Sequence, residues 1–469
     1  MYRAPGAYIR GMRTLVLFTR DLRIHDHPAF SAACRRGEVV PLFVLDPALT
    51  AISANRHRFL LECLADLDAE LRARGGQLCV RRGDPAALAV ELALETHCDT
   101  VHITADVGVV GTRREHDLEA RCREAGIALE LFPGTMVVEP GEVAPPGKEH
   151  YAVFSPYHRA WRRAPHRSVI AAPARVRTPR DVDPGARPVP ASAVPDSPRL
   201  PAGGESAGRG LLERWLAGPV GRYATARNDL AADATSRLSP YLRFGCISPN
   251  EVVHRCGNDD FVRQIAWRDF YRQLLASDPR LSWTDLREPP GDVPPAPADA
   301  ARRLDAWRRG RTGIPLVDAG MRQLLAEGWM HNRARMVVGS YLTRRLGLPW
   351  QDGARHFLRL LVDGDPANNS GGWQWVAGTG TDPRRSRSFN PVLQAERYDP
   401  EGAYIRRWIP ELADVPAPLV FAPWKRPSLL RSNRYPEPLL AVPAKGPGPG
   451  APPFRAGPPA HPGQTSLAV

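Results

Sequence analysis

The densest group of chemically capable residues runs from Asp363 to Trp375: Asp363-Gly364-Asp365, then Asn369, then Gly371-Gly372-Trp373-Gln374-Trp375. Two acids two residues apart cannot share a helix face. The Asp-Gly-Asp step therefore reads as a turn that aims carboxylates at donors such as a ribose or a heteroaromatic ring edge. A calcium loop would need a regular series of oxygen ligands closing on a Glu, and that series is missing. The Gly371-Gly372 pair permits close backbone approach to a ligand or unusual φ/ψ values.

Three other blocks carry candidate chemistry. In Thr235-Ser236-Arg237-Leu238-Ser239-Pro240, three hydroxyls precede a helical stretch. They suit phosphate binding at a helix start, or serve as an ordinary N-cap. At helical spacing Gln264, Trp267, Arg268 and Tyr271 share a face. An amide beside aromatics and a cation can stack on a base and read its edge; core packing is the plainer alternative. In Gly328-Trp329-Met330-His331-Asn332-Arg333-Ala334-Arg335-Met336, Asn332 and Met336 face one way and Arg335 another. His331 has no second His or Cys at ligand spacing, so it reads as a structural histidine and no metal site is expected.

Two kinds of scaffold must position these blocks. Short apolar runs at 14–18, 41–45, 78–82, 100–104 and 128–132 alternate with amphipathic segments at 55–74 and 85–97. That alternation predicts an α/β fold with a doubly wound parallel sheet in 12–134. No G-x-G-x-x-G follows the first run, so a nicotinamide dinucleotide site there is unsupported. Residues 135–210 are rich in Pro, Gly, Ala and Arg and read as a partly irregular linker with one short helix near 156–163. Residues 211–425 read as an all-helical, Trp-rich domain. Residues 443–469 read as a disordered Pro/Gly-rich tail.

The bulk numbers narrow the function classes. The chain has 469 residues, a formal charge of +13 and 43% hydrophobic residues, enough to bury a large core. The basic balance suits a polyanionic partner, although an Arg-rich composition raises charge everywhere. No apolar run is long enough to span a membrane. Seven cysteines form no C-x-x-C pair, and none follows Cys256. Zinc ribbons are therefore unsupported, as is an iron–sulfur cluster in the second half, and a reducing cytoplasm is expected. No signal peptide is apparent, and Met12 is a second candidate start.

Taken together and in order, the four blocks resemble the photolyase/cryptochrome family. The resemblance runs from Phe18-Thr19-Arg20-Asp21-Leu22-Arg23 to Trp408-Ile409-Pro410-Glu411-Leu412 and is most specific in 313–336 and 363–382. It implies an antenna-pigment α/β domain followed by a helical domain that holds FAD. By position it places Tyr223, Thr235, Ser236, Arg237, Leu238, Ser239 and Phe261 on the flavin nucleotide. It puts Asp363, Gly364 and Asp365 on the isoalloxazine and adenosine portions, pairs Arg335 with Asp363, and sets Asn369 beside flavin N5. An Asn there is the repair pattern within the family rather than the signalling one.

The resemblance also implies damaged DNA as partner. The lesion, a flipped-out pyrimidine dimer, would meet Gln264, Trp267, Arg268, Tyr271, Asn332, Arg333, Met336 and Trp375, with Arg227 on the phosphates. Asn332 and Met336 follow the cyclobutane-dimer pattern; Gln264 is the residue typical of six-four enzymes. Trp373, Trp350 and Trp307 match an electron relay from flavin to surface. Arg56 and Asp106 match antenna contacts of the 8-hydroxy-5-deazaflavin type, with methenyltetrahydrofolate or no antenna as alternatives. Arg384, Arg385 and Arg387 suggest phosphate contacts or a solvated loop. A cytoplasmic monomer, bound to the nucleoid when on DNA, is expected.

Overall fold

In a computed structural model of the chain, residues 12–289, 297–382 and 388–441 are described. The expected tail at 443–469, the initiator question at 1–11 and the arginines at 384, 385 and 387 lie outside them.

Strands β1 (Met12–Phe18), β2 (Gly37–Leu45), β3 (Cys79–Arg82), β4 (Thr100–Thr104) and β5 (Ala128–Phe132) form one parallel sheet in the order β3-β2-β1-β4-β5. The order reverses at β1, which makes the sheet doubly wound as expected. Registers such as Leu17 opposite Leu42 on one side and Ile103 on the other set apolar residues in rows. The central strands read as continuous apolar runs because both faces are covered. Strand β2 starts earlier than the apolar run at 41–45 suggests, since Gly37–Val40 already pairs with Met12–Leu15.

Helices α1 (Pro28–Arg36), α2 (Ala54–Ala73), α3 (Pro85–Glu95) and α4 (Val109–Ala125) flank the sheet. One sheet face packs Leu15, Leu17, Val40 and Leu42 against Ala89, Leu118 and Cys122 of α3 and α4. The other packs Val16, Phe18 and Phe43 in a core that continues through Phe59 of α2 to Tyr241 and Phe270. The two halves therefore share a hydrophobic core.

The segment between them is tethered rather than loose. Val39 N–H donates to Arg177 O at 2.8 Å, and Val176 N–H to Arg74 O at 2.9 Å. It carries α5 (Phe154–Trp161), close to the helix expected near 156–163. The helical half opens with α6 (Glu205–Leu216), a few residues before the expected boundary. Its site-bearing elements are α7 (Ser239–Phe244), α8 (Asp259–Ser277), α9 (Asn332–Ser340), α10 (Trp350–Leu360) and α11 (Pro366–Ala377). No described helix is long and apolar enough to cross a membrane.

Candidate functional site

The Asp363-Gly364-Asp365 step begins in a turn closed by Gly364 N–H donating to Leu361 O at 3.2 Å. Asp365 ends it as the N-cap of α11, accepting from Asn368 N–H at 3.1 Å, and Pro366 follows in the first turn. This start satisfies a helix-terminal donor and favours the carboxylate at the positive end of the helix. One turn inside, Asn369 and Trp373 stand at i and i+4.

Asp363 is gripped from two sides. Arg335 of α9 donates to its Oδ2 at 2.7 Å and its Oδ1 at 3.2 Å. The Ser239 hydroxyl at the start of α7 donates to Oδ2 at 2.6 Å. Trp329 Nε1–H donates in turn to Ser239 Oγ at 3.2 Å. All four residues are buried, and paired, hydrogen-bonded charges are the kind an interior tolerates. Nearby, Arg237 takes a positive φ of 51°, lies 4.2 Å over the Trp329 ring and pairs with Asp233 and Glu327. Thr235 Oγ1 is buried without a hydrogen-bond partner, a state that costs roughly 1–3 kcal/mol unless a ligand relieves it. Tyr223 meets Phe261 and Trp215 edge to face and Trp215 lies tilted against Phe261, with ring centroids 5.2 to 5.9 Å apart. Asn369 Nδ2–H donates to Ala354 O of α10 at 3.1 Å, which fixes its amide.

A second charged cluster joins the two halves. Arg20, just after β1, pairs with Asp365 and, at 3.3 Å, with Asp106. Arg272 of α8 pairs with Asp106 at 3.0 Å and Asp365 at 3.6 Å. Burial alone would raise both carboxyls, but Arg20 and Arg272 hold them below the usual range. Arg243 Nε–H donates to Gly364 O at 2.9 Å. Burial, then the charge of Arg20, pushes its guanidinium well below the usual value. Cations outnumber acids here.

Comparison with known proteins gives the family of the chain. Residues 14–177 match the family model described as DNA photolyase, and residues 261–445 match that described as the FAD binding domain of DNA photolyase. A deoxyribodipyrimidine photo-lyase of Streptomyces griseus is 48% identical over 441 residues, covering 91% of this chain and 96% of its own. The chain belongs to the DNA photolyase family. A cryptochrome DASH of Gloeobacter violaceus is 36% identical, covering 88% of each chain. The crystal structure of a class III photolyase from Agrobacterium tumefaciens superposes with a TM-score of 0.87 at 30% identity, covering 94% of this chain and 96% of that one.

The donor set fits FAD. The unpartnered Thr235 hydroxyl and the adjacent Ser236 suit phosphate, the aromatic trio suits a flat ring system, and the Asp363 pair precedes the helix that carries Asn369. The Leu238 side chain lies in the core. Asp365 is committed to Arg20, Arg272 and Asn368, so its first duty is to hold the two halves together. Asp106 shares that duty. Arg56 donates to Leu358 O and Leu361 O, closing the C-terminus of α10.

Several expectations need correction. Trp307 does not lead to the surface: it is 0% exposed and gives its N–H to Val338 O at 3.1 Å. Arg268 does not face DNA; it is buried and donates to Thr135 O at 2.7 Å, tying α8 to the segment after β5. Tyr271 is buried where α8 crosses α11, and Met336 is 0% exposed in the core beneath Asn332. The Gly371-Gly372 pair is helical, and the Tyr271 ring packs against Gly371. The helical face chosen on α8 fails to mark a pocket because that helix is buried nearly all round.

Of the remaining lesion candidates, Trp267 stacks on Phe154 at 3.6 Å with its ring edge toward Phe270. Gln264 Nε2–H donates to Asp260 O at 3.2 Å. Arg333 donates to Asn228 Oδ1 at 2.7 Å and lies 4.4 Å over Tyr398. Arg227 lies over Tyr223 at 5.8 Å, and Trp375 stacks on Phe389 at 6.3 Å. His331 is the structural histidine expected, capping α9 by accepting from Arg333 N–H, and the described residues hold no metal-ligating cluster.

Sequence reasoning missed Trp329, Arg20, Arg272 and Gln374. Arg20, Trp329 and Gln374 sat inside quoted motifs. Nothing local signals that Arg272 or Gln374 bridge distant segments.

Proposed function

We propose that this chain is a light-driven deoxyribodipyrimidine photo-lyase that splits cyclobutane pyrimidine dimers in DNA. The observation that carries it is the match over 91% of the chain to an enzyme of that name, on a chain with a buried Arg335–Asp363–Ser239 set just ahead of the helix that carries Asn369. Bound FAD, when reduced, supplies the photoexcited electron that opens the dimer; the protein supplies the setting.

Within that setting Arg335 and Asp363 form a fixed dipole against the ring system and Asn369 presents its amide. Thr235 and Ser236 hold the phosphates, and Tyr223 with Phe261 gives an aromatic wall. Trp267 and Trp375 stack on the extruded bases, each stacking being worth roughly 1–3 kcal/mol. Asn332 and Gln264 bond the base edges, Arg333 backs that pocket from its place on Asn228 and Tyr398, and Arg227 meets the DNA backbone. Trp373 and Trp350 form the inner part of an electron relay that restores the reduced state of the cofactor. The arginine excess of Arg20, Arg56 and Arg243 between the halves supports an anionic antenna pigment such as 8-hydroxy-5-deazaflavin.

Gln264 favours a second reading, repair of six-four photoproducts, because its amide both donates to and accepts from a base. The deciding experiment incubates photoreduced protein with oligonucleotides carrying one or the other lesion, in light and in dark. Light-dependent restoration of the cyclobutane dimer is expected. Restoration of the six-four lesion alone would favour the second reading, and restoration of neither would remove both.

A further inference from the structure

We propose that Trp283 is the surface terminus of the electron relay, the place where Trp307 was expected; this rests on the photolyase reading and on Trp373 and Trp350 as its inner members. All eleven tryptophans lie among the described residues. Trp283 is 56% exposed, whereas Trp307 has no exposed surface and Trp350 and Trp373 are buried.

The inner step follows from α10. The benzene end of Trp373 lies on Gly353, so closely that a Cβ there would be 2.6 Å from Trp373 Cζ2. Trp350 stands one turn earlier on α10, three residues before Gly353, and so on the same face. The outer step follows from the loop of Leu281 to Leu286. Trp350 Nε1–H donates to Asp285 Oδ1 at 2.7 Å, and Gln351 Nε2–H donates to Trp283 O at 3.2 Å. Gln374, the neighbour of Trp373, donates to Leu281 O at 2.9 Å and Thr284 O at 3.0 Å and accepts from Leu286 N–H at 2.8 Å. The loop bearing Trp283 is thus fastened to the helices of both inner tryptophans.

Electrostatics gives the path its direction. A tryptophan that has lost an electron is a cation, and a cation is stabilised by a neighbouring carboxylate and above all by water. Trp350 has the Asp285 carboxylate on its indole nitrogen, and Trp283 has solvent. Trp307, beside Trp373 at 6.1 Å, has neither exposure nor an acid on its N–H, which is held by a backbone carbonyl. It is a side branch.

The electrons balance as follows. One electron passes from Trp373 to the light-excited oxidised cofactor, Trp350 refills Trp373, and Trp283 refills Trp350. The Trp283 cation releases its indole proton to water. A thiol in solution then returns one electron and one proton to Trp283; a second such turnover gives the cofactor its second electron, and the two thiyl radicals so formed couple to a disulfide.

The test uses full-length, FAD-loaded protein. With thiol present, blue-light reduction of the cofactor should slow at least ten-fold in Trp283→Phe, and by much less in Trp307→Phe. FAD content by absorbance and thermal melting check that each variant folds. Without thiol, prolonged illumination should leave oxidised tryptophan at Trp283, located by mass spectrometry. A wild-type rate in Trp283→Phe, or oxidation mapped to another tryptophan, would overturn the assignment. A wild-type rate in Trp373→Phe would overturn it at its first step. Protein that photoreduces through Trp283 but repairs no dimer would support the relay while removing the repair reading.

Discussion

The Ser239 hydroxyl donates to the Asp363 carboxylate at 2.6 Å across 124 residues of chain. It does so only because α7 starts where the turn before α11 ends, with Arg335 closing the other side. Asp363→Ala would leave Arg335 buried with no counter-charge, which costs about 3–5 kcal/mol. Asp363→Asn keeps the volume and an acceptor and should cost less. Urea unfolding and FAD content should rank wild type above Asn, and Asn above Ala. Equal stability of the two variants would show that the pair is not the anchor of this site.

Gly353 is a packing requirement of the site. A methyl group there meets the Trp373 ring and Leu342 Cδ2, and overpacking of this kind costs typically about 1–3 kcal/mol. The indole would have to shift off α10. Gly353→Ala should therefore lose stability and slow cofactor photoreduction together. Gly257→Ala, where an added Cβ has nothing within 4 Å, should stay within about 0.5 kcal/mol of wild type.

These two cases show what was legible in the sequence. The Asp-Gly-Asp turn, the alternation of the first 132 residues and the Trp-rich helical half follow from local pattern, because turn chemistry and hydrophobic period act over a few residues. The Asp363–Arg335 partnership was legible only through resemblance. Illegible features are those that depend on what packs against a helix. The face of α8 read as a base-stacking surface because nothing local tells that Arg268 and Tyr271 are covered by other elements. The same holds for Trp307, whose burial is decided by Val338, Phe357 and Trp373. Gly371 looked like a ligand cradle because the Tyr271 ring that needs the space lies 100 residues earlier.

Arg227 and Arg268 separate surface charge from buried charge. Arg227 is half-buried at the edge of the site, and Arg268 is enclosed between Thr135 O, Leu242 O and Asp269. Arg227→Ala should weaken DNA binding and reduce the salt slope by about one. Arg268→Ala should leave the salt slope unchanged and cost stability, about 3–5 kcal/mol for breaking a buried pair. DNA affinity titrated at several salt concentrations, with unfolding curves alongside, checks both. A reduced slope in Arg268→Ala would place its charge on the DNA after all.

His331 gives the protein a weakness in mild acid. Burial, then the charges of Arg333, Arg237 and Arg335, pushes its imidazole down to about 3, against about 6.5 in an unfolded chain. Between those values the unfolded state binds the extra proton, so stability falls as the pH drops from about 6.5 toward 3. At about 1.4 kcal/mol per pH unit, His331 alone removes roughly 3 kcal/mol by pH 4. Burial also lowers His356, to about 4, with the same sign. The carboxyls of Asp106 and Asp365 act differently: their pKa values are depressed, so their contribution is lost only at lower pH. Asn can accept the same N-cap bond from Arg333 N–H without titrating. His331→Asn should therefore flatten the fall of the urea midpoint between pH 6.5 and 4.5. An unchanged slope in that window would mean that His331 takes up its proton in the folded protein.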